Sequence, residues 1–120
     1  MKIAFTTSGD NLESPLDQRF GRAAAFLVFD TDTETYTLID NTQNLNAAQG
    51  AGIQSAQHVV NAGVAALITG HTGPKAFAVL QAAGIDVYLS SNATVREALK
   101  AWKHGSLEKS GAADVESHWI

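Results

Sequence analysis

Cysteine is missing from this 120-residue chain. That excludes disulfides, Cys-ligated zinc and thiolate-held iron–sulfur clusters. Basic residues are scarce: eight Lys plus Arg stand against twelve Asp plus Glu, for a net charge of −4 and a pI near 5.4. This balance argues against non-specific nucleic-acid binding, which depends on a basic surface. No apolar run reaches the length of a membrane span, and the Met-Lys-Ile-Ala-Phe-Thr-Thr start lacks a signal-peptide core. The expectation is a cytoplasmic protein without membrane or nucleic-acid partners. The phosphate-loop signature Gly-x-x-x-x-Gly-Lys-Ser/Thr and the nucleophile elbow Gly-x-Ser-x-Gly are both absent.

What is present reads as one globular domain. Hydrophobic residues make up 45% and charged residues 17%, a globular balance. Residues 2–7 read as a first strand, 25–30 as a continuously apolar buried strand, and 36–40 as the return strand of a hairpin. A polar loop, 8–21, joins the first two. A second loop, 41–49, leads to a helix over about 50–62 with Ile53, Ala56 and Val60 on its apolar face, ended by Gly63. Residues 64–69 form a buried strand. A helix follows from Pro74 to Ala83, with Ala76, Val79, Leu80 and Ala83 inward and Gly84 as its cap. The last strand is 85–89. Ser91 or Asn92 is the expected cap of a third helix with Val95, Leu99 and Trp102 as its stripe. Residues 1–105 make the domain; 106–120 read as a polar, flexible tail in which Trp119 is a candidate anchor.

The order β-β-β-α-β-α-β-α predicts a three-layer α/β/α domain of ribonuclease-H-like topology. Its five-stranded mixed sheet should run 3-2-1-4-5 with strand 2 antiparallel. Ligands of open α/β sheets bind beyond the carboxyl ends of the strands, where the connections diverge. Here that place lies between strands 1 and 4. The loop carrying Arg19-Phe20-Gly21-Arg22, the Gly70-His71-Thr72-Gly73-Pro74-Lys75 turn and the Gly50-Ala-Gly52 helix start all arrive there. Guanidinium groups and helix N-termini on one edge make an anion site. Phe20 is read as a core anchor. Gly21 supplies a positive φ or a close approach, and His71 an imidazole ligand or donor.

Each motif has a plainer reading. Arg19 and Arg22 are surface arginines or pair with Asp10, Glu13 or Asp17. The Gly70–Pro74 segment is a simple strand-to-helix turn. His58 is solvated, and Arg96, Lys100 and Lys103 form a solvated basic stripe, with a docking surface as the lesser alternative. Strand 1 carries no carboxylate for the two-metal chemistry of a nuclease. A non-enzymatic role is expected, with a small-anion or nucleotide-binding module and a protein-interaction subunit as alternatives.

The segments "LDQRFGRAAAFLVFD" and "NLNAAQGAGIQSAQHVVNAGVAALITGHTGPKAFAVLQAAGIDVYL", with the Met-Lys-Ile-Ala start, resemble the dinitrogenase iron–molybdenum cofactor biosynthesis family over roughly residues 1–103. The resemblance implies the ribonuclease-H-like fold and non-catalytic binding, carriage or assembly of an anionic metal–sulfur cluster. The family includes a cysteine-independent member holding a molybdenum–copper sulfide cluster without covalent attachment. A molybdenum–copper sulfide cluster or a related anionic molybdenum–sulfur cluster is therefore the implied cargo. Such a cluster brings its own sulfur ligands and calls for charge and N–H donors. The expected cluster-binding residues are Arg19, Phe20, Gly21, Arg22, Gly50, Gly52, Gly70, His71, Thr72, Gly73, Pro74 and Lys75. Protein partners in a larger complex are a further implication.

Overall fold

The computed structural model describes residues 1–42 and 51–111. Its strands are β1 (Lys2–Thr7), β2 (Ala25–Asp30), β3 (Thr35–Asp40), β4 (Ala66–Thr69) and β5 (Asp86–Leu89). Its helices are α1 (Ala51–Asn61), α2 (Pro74–Ala82) and α3 (Val95–Lys103), with a short 3-10 turn at Phe20–Arg22. The sheet order is β3-β2-β1-β4-β5. β2 is antiparallel to β1 and β3, while β4 is parallel to β1 and β5. This is the expected mixed α/β sheet.

The period of two along a strand sends alternate side chains to opposite faces. Ala4, Phe26, Val28, Leu67 and Val87 face one way, against Ala56 and Val59 of α1 and Ala76, Phe77 and Leu80 of α2. Ile3, Phe5, Leu27, Phe29 and Ile68 face the other way, against Val95, Ala98 and Leu99 of α3. Phe5, Phe20 and Phe26 are among the largest fully buried side chains, each stabilising by about 1.5–3 kcal/mol.

The helix faces differ in detail from the sequence expectation. In α1 the inward residues are Ser55, Ala56 and Val59; Ile53 is exposed and Val60 only partly covered. In α2 Phe77 is buried while Ala83 is exposed. Thr94 caps α3, not Ser91 or Asn92: its hydroxyl accepts from the Glu97 N–H at 3.2 Å. Ser90 and Asn92 are bonded to one another instead, at 2.6 Å. Gly63 and Gly84 take φ of 72° and 77° and end α1 and α2 as expected, because a left-handed C′ position suits glycine.

The chain beyond α3 stays on the domain at first. Leu107 packs against the α3-side core. Lys109 bridges to Tyr88, and the Ser110 N–H donates to the Val87 carbonyl at 2.7 Å. The outer edge of β5 is thereby covered. Trp119 and the helix start at Gly50 lie outside the described residues, as does most of the 41–49 loop.

A candidate anion site at the carboxyl edge of the sheet

β1, β4 and β5 run parallel, so their ends share one edge. β3 reaches it too, after two antiparallel steps. The strand ends there are hydroxyl-rich: Thr6, Thr7 and Thr69 are fully buried. Their side chains hold the 8–19 loop. Thr6 Oγ1 is hydrogen-bonded to the Asp17 carbonyl oxygen (2.7 Å) and to Thr69 Oγ1 (2.8 Å). Thr7 Oγ1 donates to the Pro15 carbonyl at 2.9 Å. The Asp17 N–H donates to the Thr6 carbonyl at 2.8 Å.

The loop then lies against the β4–α2 turn. Arg19 and His71 form a parallel bridge, and the Phe20 N–H donates to the His71 carbonyl at 3.2 Å. Gly70 makes this approach possible. A Cβ on Gly70 would fall 2.6 Å from both Cα and the carbonyl oxygen of Gln18. Phe20 is fully buried against Phe26, with ring centroids 5.5 Å apart. The expected anchor thus fixes the 3-10 turn on which Gly21 and Arg22 sit. Gly21 is buried in that turn and takes no positive φ; a 3-10 turn uses ordinary right-handed backbone.

The electrostatics favour an anion. Arg19 is exposed and makes no ion pair among the described residues. Each expected carboxylate partner of Arg19 has a contact of its own. Glu13 pairs with Arg96, Asp10 accepts from the Asn11 side chain, and the Asp17 carboxylate accepts from the Arg19 N–H at 3.0 Å. Arg22 is half-buried and Lys75 exposed. The basic stripe on α3 is partly absorbed as well: Lys103 sits 3.9 Å from Glu34 and 5.7 Å from the Phe29 ring centre.

Two helix starts join the loop. Gly73 is the N-cap of α2, with φ −85° and ψ 169° and no side-chain capping bond, and Pro74 holds the first helical position. First-turn N–H groups lack intrahelical partners and carry the positive end of the helix dipole. Gly52, in the first turn of α1, faces α2 so closely that a Cβ on it would lie 3.5 Å from the Ala76 Cβ. Thr72 and Gly73 are buried; His71 is half-buried; Pro74 is exposed. The structure therefore brings the Arg19–Arg22 turn, the Gly70–Lys75 turn and Gly52 together, while Gly50 lies outside the described residues.

Asn41 and Ser55 were not among the expected site residues. Asn41 is fully buried at the end of β3. Its amide nitrogen donates to the Ala23 carbonyl (2.9 Å) and to Ser55 Oγ (3.0 Å), and its backbone N–H donates to the Ala24 carbonyl (2.8 Å). It ties the exit of the arginine turn to α1. Nearby, Asp40 is held below its ordinary carboxylate value by the Thr42 N–H, then the Thr42 hydroxyl, with the His58 imidazole adding attraction. His58 is therefore half-buried beside a carboxylate rather than simply solvated.

The family model of the dinitrogenase iron-molybdenum cofactor proteins matches residues 1–105. The chain belongs to this family. Its fold superimposes on the apo form of the orange protein of Desulfovibrio gigas with a TM-score of 0.92, at 39% identity over 95% of this chain and 96% of that one. A putative NifB protein from Thermotoga gives a TM-score of 0.80 at 36% identity, covering 90% and 91%. An uncharacterized protein of Methanocaldococcus jannaschii is 36% identical over 112 residues, 91% of each chain.

Proposed function

We propose that this protein binds and carries an anionic metal–sulfur cluster, without catalysing a reaction, at the carboxyl edge of its sheet. The observation that carries the proposal is the docking of the Arg19 loop onto the Gly70–His71 turn, beside the start of α2. Arg19, Arg22 and Lys75 supply charge. Backbone N–H groups around Gly52 and Gly73 supply donors, as does His71. Gly70 and Phe20 hold the frame. Thr72 and Pro74 complete the turn, and Gly50 is included in the proposed set.

The chemistry of the donor set fits such a guest. The chain has no thiolate, and among the described residues no three His, Asp or Glu converge as a metal site. A cluster that carries its own sulfides needs hydrogen-bond donors and positive charge rather than protein ligands. Family membership and the likeness to the orange protein support a cofactor-associated role. Molybdenum, in a sulfide cluster with copper, is the guest we favour. No helix among the described residues is long and apolar enough to cross a membrane, and we place the protein in the cytoplasm.

The test uses apo protein mixed with tetrathiomolybdate and copper. A visible chromophore should travel with the protein through gel filtration, and metal analysis should find both elements in that peak. The Arg19→Ala/Arg22→Ala variant should lose most of it. Colour remaining with small molecules for both proteins refutes the proposal. A second reading, a small organic anion or nucleotide at the same edge, is favoured instead if nucleotides alone raise the melting temperature; a hundredfold excess over Kd stabilises by about 2.7 kcal/mol.

A further inference from the structure

β3 is the outer strand of the sheet, and among the described residues nothing pairs with its free edge. All but one of its residues are exposed. Natural edges are normally blunted by Pro, Lys, a bulge or a cover. The strand reads Thr-Tyr-Thr-Leu-Ile-Asp, with no Pro or Lys, and pairs with β2 in unbroken register from Thr35 to Asp40. The opposite edge, β5, is covered by Lys109 and Ser110.

The direction of the free backbone groups follows from the ladder. The Asn41 N–H donates to the Ala24 carbonyl, so residue 41 points its polar groups toward β2. Antiparallel strands alternate this direction residue by residue. Residues 35, 37 and 39 therefore point inward, and Tyr36, Leu38 and Asp40 present N–H and C=O outward. Tyr36 and Leu38 lie opposite Phe29 and Leu27, on the face covered by α3. They remain 38% and 43% exposed, two of only four large apolar side chains so exposed among the described residues.

We propose that this edge pairs antiparallel with the same edge of a second copy of this chain, about a two-fold axis through Thr37. This register sets Tyr36 opposite the partner's Leu38, and Leu38 opposite the partner's Tyr36. Each is a hydrogen-bonded pair, because both residues point outward. The axis stands perpendicular to the sheet, so like faces coincide and the four exposed apolar side chains form one cluster. On the other face Thr37 meets the partner's Thr37, and Thr35 meets the partner's Ile39. Aromatic–aliphatic and β-branched pairs are those that stabilise sheets. An isologous contact closes at two chains, and the covered β5 edge offers no route to a filament.

Area and charge set the strength. One strand per side is far smaller than the roughly 20–30 residues a side of a stable interface. The dimer is therefore a weak one, seen at tenths of a millimolar protein. At each end Asp40 comes opposite the partner's Glu34. Lys103 lies 3.9 Å from Glu34 in its own chain, and the His58 imidazole attracts Asp40. Each chain carries a net charge of −4, so two copies repel and added salt should strengthen the pairing.

Sedimentation equilibrium from about 10 µM to about 1 mM tests this on the full chain. The weight-average mass should climb from 12.6 kDa toward twice that value. Leu38→Lys, at an exposed position, should hold it at the monomer while leaving the melting temperature near wild type. Amide signals of Tyr36, Leu38 and Asp40 should shift most with concentration. A Tyr36→Lys/Leu38→Lys protein and a Tyr36→Glu/Leu38→Glu protein should each stay monomeric and pair when mixed. A wild-type chain that remains at 12.6 kDa overturns the proposal. So does a dimer that Leu38→Lys leaves intact, which would place the contact elsewhere.

Discussion

Replacing Gly70 by alanine is the most direct probe of how the arginine loop is held. The added methyl meets three atoms of Gln18: Oε1 at 2.4 Å, Cα at 2.6 Å and the carbonyl oxygen at 2.6 Å. The side-chain amide can swing away, but the two backbone atoms cannot move without displacing the loop. Overpacking of this kind costs about 1–3 kcal/mol. Pushing the loop outward also breaks the Phe20 N–H bond to the His71 carbonyl, worth about 1 kcal/mol. The expected loss is about 2–4 kcal/mol, or roughly 10 °C in melting temperature for a domain of this size. Urea unfolding followed by circular dichroism measures it. Adding Gln18→Ala should not rescue the variant, because Cα and the carbonyl oxygen remain. Gly84→Ala is the contrast: its Cβ meets nothing within 4 Å, and only the φ of 77° penalises it, by about 1–2 kcal/mol. A Gly70→Ala protein within about 0.5 kcal/mol of wild type would show that the loop is not pinned on this turn. Full rescue by Gln18→Ala would show that the contact is one of side chains only.

Gly52→Ala should go the other way in stability. Its Cβ would make an ordinary 3.5 Å contact with Ala76, and alanine in a helix gains about 0.5–1 kcal/mol over glycine. If the cluster approaches α1 at this point, the same variant melts higher yet takes up less chromophore; equal uptake removes Gly52 from the site. Asn41→Ala should cost about 2–3 kcal/mol in the same urea assay, since the Ala23 carbonyl and Ser55 hydroxyl lose a partner in the interior; a cost under about 0.5 kcal/mol refutes the tie. Asp40 has a native pKa below its ordinary 3.8. Its contribution to stability is complete above that value and is lost as pH falls through the lowered one. Asp40→Asn should flatten this acid limb, and an unchanged pH dependence of unfolding would assign the lowered value to no stabilising contact.

The sheet was legible because its signals are local and repeated. Three of the five strands, β1, β2 and β4, carry buried runs such as Phe26-Leu27-Val28-Phe29 whose burial follows from composition. The glycines at 63 and 84 mark helix ends through φ. The arginine turn stood out because cations are rare in this chain. What escaped depends on contacts across long separations. Thr94, rather than Ser91 or Asn92, caps α3 because Ala93 and Thr94 are engaged by the distant 8–19 loop, through the Leu16 N–H to the Ala93 carbonyl and the Pro15–Thr94 bridge. Val59 replaced Val60 on the buried face of α1 because Ser55 points inward to Asn41, a rotation that an apolar count cannot show. Asn41 itself reads as a loop residue until its partners at Ala23 and Ser55 are in place.

The same loop explains why the three helix starts at this edge are not equivalent. At α3 the first-turn donors are consumed. The Val95 N–H goes to the Ser14 carbonyl at 3.0 Å, the Arg96 N–H to the Leu12 carbonyl at 2.8 Å, and the Glu97 N–H to Thr94 Oγ1 at 3.2 Å. The Glu13–Arg96 pair lies over this junction. An anion therefore gains nothing from α3, whereas α2 begins on Gly73 with no side-chain cap. The loop seals one helix with its first half and carries Arg19 to the other helix with its second. Thr6 and Thr7 hold the middle of the loop. Its backbone is ordered when the domain folds, so a guest does not meet that conformational cost again on binding. Only the exposed Arg19 and Lys75 side chains remain to be ordered, at about 0.5–1.5 kcal/mol each. For the guest proposed above, such a frame would favour a rigid, compact anion over a flexible one, because its backbone is already fixed in place.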